Sequence, residues 1–299
     1  MAVNESLAQA SNMFVYGSMG AYAVAMFGFA TSFAQGRDKE TDATKGRKAG
    51  NIAMSLTWLG TLFLGIGVLL RGVSAGRVPW GNMYEFSITG TFGLMAVLLA
   101  LSLKRDLRWL GLFIVIPALL SLGLAVTVLY TESAQLIPAL KSYWLLIHVT
   151  AAIVSAGFFV IGAVLTTLQL ITAHVEQRVA EGKPAGRWEF VSRRVPASTV
   201  LDRLAYQAHA FVFPLWTFTV VAGAIWARSA WGRYWGWDPK ETWAFITWVG
   251  YAAYLHARIT IGWKGTRASI IALIAFSTFI FNYFIVNFFF QGLHVYSGK

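Results

Sequence analysis

A chain of 299 residues in which 57% are hydrophobic and only 12% charged is excluded from the water-soluble globular class. The net charge of +11 would suggest a nucleic-acid partner in a soluble chain, but here the cations cluster in short connections between apolar runs, so they report membrane orientation and no nucleic-acid partner is expected. Cysteine is absent, which excludes a disulfide, a thiolate–metal site or a cysteine nucleophile of the chain's own.

The apolar runs are about 20 residues long and repeated, the length an α-helix needs to cross a bilayer, and they lack the period-two alternation of a barrel strand. Eight such segments are expected, at about 13–34, 50–70, 85–103, 109–130, 143–173, 204–227, 241–259 and 268–290. The first follows Met1 to Ser6, which has no basic stretch, and reads as a retained span rather than a cleavable signal. The fifth exceeds what a bilayer needs and must tilt or project into water. Of the 24 Lys and Arg, 17 fall in alternate connections: around 37–48, 104–108, 178–203 and 258–267. The positive-inside rule then puts those connections in the cytoplasm and both termini outside. The expected fold is therefore an all-α integral membrane protein, one polytopic domain over 1–299 with eight transmembrane helices, embedded among membrane lipids. The stretch from Glu176 to Pro196 reads as a polar, mobile cytoplasmic loop.

The outer-face connections hold the unusual chemistry. Asn82, Tyr84 and Glu85 form one polar cluster. Glu85 has three readings: a proton acceptor, a partner for an outer arginine, or a carboxylate favouring the start of its helix, the last being the default. The second connection, Trp231-Gly-Arg-Tyr-Trp-Gly-Trp-Asp-Pro-Lys-Glu-Thr-Trp243, puts five aromatic rings in thirteen residues. Its glycines let backbone approach a flat guest, and its rings supply broad apolar faces. Tryptophan and tyrosine also gather at membrane surfaces without binding anything, but such a belt needs neither the glycines nor a capped turn. Asp238-Pro239-Lys240-Glu241 reads as a helix start, with Asp as N-cap, Pro at the first helical position and Glu reaching back to the cap.

Five histidines remain. His148 lies about 9 Å into its segment from the outer face, and His294 follows the last segment on that face. His256 lies 17 residues past Pro239, about 25 Å along its helix and near the cytoplasmic side. Neutral imidazole is a common axial ligand of haem iron, and a haem needs a dry slot, flat apolar walls and cations for its propionates. The outer face offers His148, His294, the tryptophans, and Arg77, Arg228, Arg233 or Lys240. Each histidine has a plainer reading as an interhelical hydrogen-bonding group or a wet tail residue. His174, at a cytoplasmic helix end, and His209 are read as structural.

The run from Trp231 to Trp248 resembles the WWD signature of haem-handling proteins, in the CcsA/ResC form of system II cytochrome c biogenesis. Around it, Trp144-Leu-Leu-Ile-His148-Val is similar to that family's first external histidine segment, Tyr254-Leu-His256-Ala-Arg to its transmembrane one, and Gly292-Leu-His294-Val-Tyr-Ser-Gly to its second external one. Asn82-Met-Tyr84-Glu85 resembles its Asn-Leu-Tyr-Glu segment, with Met83 departing from leucine. The likeness is strong over 142–299 and weaker before.

This resemblance implies a subunit of a holocytochrome c synthase, a haem lyase, in a bacterial plasma membrane, a thylakoid being the less favoured home. Haem b, as substrate, would enter at a site involving His256 with a ResB-type membrane partner. It would then pass to an outer site where His148 and His294 ligate the iron and Trp231, Trp235, Trp237, Trp243, Arg233 and Tyr84 surround the ring. There the vinyl groups would meet the thiols of a Cys-x-x-Cys-His segment of apocytochrome c, kept reduced by thioredoxin-like proteins, and form thioethers. His148, His294 and Asp238 are the expected catalytic residues, with Asp238 either a proton donor or only a cap. A haem exporter without ligase activity and a cytochrome b-type electron-transfer subunit are the rival readings.

Overall fold

The computed structural model describes residues 3–35, 40–134 and 142–294. Among them every regular element is a helix: α1 (Glu5–Gln35), α2 (Glu40–Ala75), α3 (Met83–Ser102), α4 (Arg108–Thr127), α5 (Tyr143–Ala180), α6 (Glu189–Ser192), α7 (Ser198–Trp231), α8 (Pro239–Ile259), α9 (Thr266–Tyr283) and α10 (Ile285–Phe289). With no water in a hydrocarbon layer, closing each N–H onto its own helix is what such apolar runs require.

Seven of these helices, α1 to α5, α7 and α9 running on through α10, are long and apolar enough to cross a membrane. The eighth expected span, α8, is a helix of 21 residues, but Lys240, Glu241, His256 and Arg258 crowd its two ends and lower its hydropathy below the others. The helices also outrun the expected segments, because polar ends such as Glu5 to Asn12 and Ser198 to Arg203 continue the same helical ladder beyond the apolar run.

The chain divides into two compact units, one ending at Gly157 and the other beginning at Phe158. In the first, α1 and α2 pack antiparallel through small residues: Ser11 donates to the carbonyl of Gly67 (2.7 Å), and the Tyr22 hydroxyl meets that of Thr61 (2.9 Å). A Cβ on Gly60 would lie 2.8 Å from the Tyr22 ring, so only glycine lets these helices approach so closely. Thr91 donates to Ser121 (2.9 Å) between α3 and α4.

In the second unit, α7, α8 and α9 pack around Phe159, Val212, Trp216, Tyr251 and Ala275. Trp216 donates its indole N–H to the carbonyl of Ala244 (3.2 Å) and Trp248 to Thr217 (2.8 Å), tying α7 to α8, while Thr247 meets Thr278 (3.0 Å) between α8 and α9. At the far end, Arg258 holds Asp202 (2.8 and 2.9 Å).

The stretch expected as a mobile loop from Glu176 is more ordered than its polarity suggests. Helix α5 runs on to Ala180, and the Glu176 carboxylate accepts the N–H (3.0 Å) and hydroxyl of Ser198, satisfying the start of α7. His209, read as structural at the beginning of a segment, lies in the interior of α7. It is wholly buried, with Nε2 3.1 Å from the Thr166 hydroxyl and its ring filling a notch left by Gly162.

Candidate functional site

The start of α8 is built as its sequence demands. Asp238 caps it by accepting the Lys240 N–H (3.1 Å), Pro239 takes the first helical position, and Glu241 reaches back to accept the Asp238 N–H (3.1 Å). Glu241 also accepts the Gly236 N–H (2.8 Å) and pairs with the Arg233 guanidinium (3.0 Å). The guanidinium lies against Gly236, where any Cβ would collide with it. One carboxylate thus seats the whole aromatic loop. Helix α7 ends at Gly232, whose left-handed conformation (φ 76°) only glycine adopts without strain, and Trp237 takes a positive φ (57°) that tryptophan rarely does.

Asp238 does more than cap. Its second oxygen accepts the Leu293 N–H (2.7 Å), and its first lies 2.9 Å from Nδ1 of His294. The carboxylate is buried, and burial opposes its ionisation, yet the hydrogen bonds from His294, Leu293 and Lys240 outweigh that and hold it below the ordinary aspartate value. The His294 ring stands edge-on to Trp231 (4.5 Å between centroids) and Trp226 (5.5 Å), which themselves meet at 4.8 Å. The carboxylate on Nδ1 fixes the orientation of the imidazole beside the aromatic loop.

The other predicted residues are distributed unevenly. Trp235 and Trp237 meet edge to face (5.7 Å), and the Trp237 ring is largely exposed, as is Tyr234. Trp243 turns instead to Phe281 of α9 (4.0 Å). His256 is exposed near the opposite end of α8. His148, half-buried in the second turn of α5, belongs to the first unit.

Tyr84 is also in the first unit and is packed away: it is 1% exposed, its hydroxyl donates to Asn12 (3.0 Å), and its ring lies beneath the Arg71 guanidinium (5.1 Å) and edge-on to Tyr130 (5.1 Å). Asn82 caps α3 by accepting the Glu85 N–H (2.9 Å). Glu85 stands in the first turn of α3, its default reading, and also makes the arginine pairing that was its second reading. It is wholly buried and accepts from Arg71 Nε (3.1 Å), Arg77 (2.6 and 3.0 Å) and the Gly81 N–H (2.8 Å). Trp226, Asn12 and Arg71 were not legible as site residues. The cue for Arg71 is an arginine interrupting an apolar helix, which needs an acid nearby.

With seven helices long and apolar enough to cross a membrane, the fold is that of a multi-pass helical membrane protein. The family model described as "Cytochrome C assembly protein" matches residues 80–294. The chain is 39% identical over 241 residues to the cytochrome c biogenesis protein CcsA of Guillardia theta, covering 76% of this chain and 79% of that one. It is 36% identical to CcsA of Prochlorococcus marinus (79% and 80% covered) and 33% identical to that of Porphyra purpurea (82% and 86%). The chain belongs to the CcsA family of cytochrome c biogenesis proteins.

Proposed function

We propose that this protein holds haem b, as substrate, at an outer-face site for covalent attachment to apocytochrome c, acting as the haem-handling subunit of a holocytochrome c synthase with a ResB-type partner. The observation that carries the reading is His294, held by Asp238 at 2.9 Å between the edges of Trp226 and Trp231. In this reading His294 and His148 are the axial ligands of the outer site, Trp231, Trp235 and Trp237 flank the ring, and His256 serves an earlier position towards the cytoplasm.

Residues of this chain would bind and orient; the acceptor Cys-x-x-Cys-His segment supplies the sulfur. In each addition a thiol S–H crosses a vinyl double bond, so a C–S bond forms and the proton ends on the neighbouring carbon. Holding the vinyl groups beside the thiols is catalysis by proximity, with no redox change at sulfur. Thioredoxin-like proteins would keep those thiols reduced. We count α8, flanked by the spans α7 and α9, as an eighth crossing. That count, with the distribution of Lys and Arg, gives outward termini and an outward aromatic loop. The proposed location is a bacterial plasma membrane, with a thylakoid as the alternative that the relatives' sources allow.

The test is the visible spectrum of the purified protein, reduced and oxidised, beside His294→Ala, His148→Ala and His256→Ala. Haem that co-purifies with the wild type and is lost or spectrally altered in the first two variants supports the outer bis-histidine site. Protein that takes up no haem, alone or with its partner, overturns it.

A further inference from the structure

The ionic cluster at the outer end of α2 and α3 is unbalanced. Arg71 and Glu85 are 0% exposed and the Arg77 side chain 9% exposed, so two guanidinium groups share one carboxylate out of water. A buried charge without a counter-charge costs several kcal/mol. Among the described residues no other carboxylate pairs with Arg71 or Arg77. Glu132 is exposed and makes no ion pair among the described residues, and positions 135–141 contain no acid. Elsewhere among the described residues the buried or half-buried pairs close one to one: Arg233 with Glu241 and Arg258 with Asp202.

The donors of this cluster point the same way. Glu85 occupies Arg71 Nε and the outer fork of Arg77, while backbone carbonyls take three more N–H groups: Thr131 from Arg71 Nη2, Ala134 from Arg77 Nε (2.8 Å) and Val78 from Arg77 Nη1 (3.0 Å). Arg71 Nη1 is buried and has no acceptor among the described residues. A fully buried guanidinium N–H without a partner, in a cluster carrying one positive charge too many, fits an oxyanion that arrives with a guest.

The position suits one guest. Helices α3 and α5 touch where a Cβ on Gly93 would lie 2.5 Å from Ile153. With α3, α4 and α5 as consecutive spans, α3 and α5 run in the same direction. Counting back along both puts His148 level with Ile88, three residues or about 4.5 Å beyond Glu85 into the bundle.

We infer that Arg71 and Arg77, braced by Glu85, form a carboxylate receptor that takes a propionate of the porphyrin whose iron His148 ligates. The inference rests on the haem reading above and adds an anchor to it. On binding, the carboxylate accepts from Arg71 Nη1. The receptor then becomes neutral, with two cations facing two anions.

The experiment compares binding of ferric haem and ferric haem dimethyl ester to the purified full-length chain by absorption titration. Wild type should prefer the diacid by about 10-fold or more, the range of a charge-assisted hydrogen bond. Arg71→Gln should erase most of that preference while the absorption bands that report histidine ligation stay in place. This variant leaves Arg77 and Glu85 as a one-to-one pair, so gel filtration should show it folded; should it fail, Arg77→Lys, which keeps the charge but loses the fork, should reduce the ratio in its place. Equal affinity of wild type for diacid and diester, with histidine-ligated spectra for both, overturns the receptor and leaves the haem reading standing. A wild-type ratio preserved in Arg71→Gln does the same. Absence of any histidine-ligated spectrum in wild type overturns both.

Discussion

Replacing Glu85 by glutamine removes one negative charge from between two arginines while keeping nearly the same volume. In the native protein the carboxylate accepts from Arg71 Nε, twice from Arg77 and once from the Gly81 N–H, and it is wholly buried. Glutamine offers one acceptor oxygen in place of two and turns an NH₂ group towards guanidinium donors. Breaking a buried ion pair costs about 3–5 kcal/mol, because the remaining charge is left without compensation. Two pairs share this carboxylate, but they act on one group and their losses do not add, so about 4 kcal/mol is the working figure. At roughly 2 °C per kcal/mol for a chain of this size, the melting temperature in detergent should fall by about 8 °C. Thermal unfolding followed by far-ultraviolet circular dichroism measures it, with Glu181→Gln as a control: that carboxylate's pair with Lys183 is open to solvent, and its loss should leave melting unchanged. A Glu85→Gln protein that melts with wild type would refute the claim that this carboxylate holds the end of α2 and the start of α3 together.

Asp238→Asn should weaken haem binding through His294 by roughly 10–100-fold, the usual effect of losing the group that orients a ligating histidine, and absorption titration checks it. The pH response of the same pair has a definite sign. A carboxylate held below its ordinary value adds stability that is complete above that value and is lost only as pH falls through the depressed one. Acidification from pH 7 to 5 should therefore leave the Asp238 contribution intact; the difference in tryptophan fluorescence between wild type and Asp238→Asn should collapse only under more acid conditions. Gly292→Ala should push residues 292–294 off the α8 start, because the added Cβ would collide with the Asp238 carboxylate, and should mimic Asp238→Asn in the titration. Gly162→Ala would put a methyl 2.5 Å from the His209 ring and should destabilise by about 1–3 kcal/mol, with recovery in the double variant carrying His209→Ala.

The parts of the site governed by local chemistry were legible before any coordinates. Asp238, Pro239 and Glu241 fall within four residues, and their capping geometry depends on nothing outside that turn. The helical character of each apolar run was equally plain, but the ends were not, since a polar residue extends a helix as readily as it leaves one. Glu85 stands in the first turn of α3 as its default reading has it, but its partners at 71 and 77 lie in another helix and a turn, so only tertiary packing adds the buried ion pairs of its second reading. The Tyr84 hydroxyl reaches Asn12, 72 residues away, a contact no local pattern announces. The α8 helix was expected as a span like the others, yet with charged residues at both ends it is not among the helices long and apolar enough to cross a membrane.

The start of α8 joins pieces made at different times. Glu241 and Arg233 close over eight residues, so the aromatic loop gains its shape as soon as the chain has passed the first turn of α8. His294 reaches Asp238 only after 56 more residues have been synthesised and α9 has returned across the bundle. A ribosome-bound intermediate therefore carries a shaped loop whose Asp238 still lacks His294, and the carboxylate gains that partner in one step once the segment beyond α9 emerges, not by degrees as the chain grows.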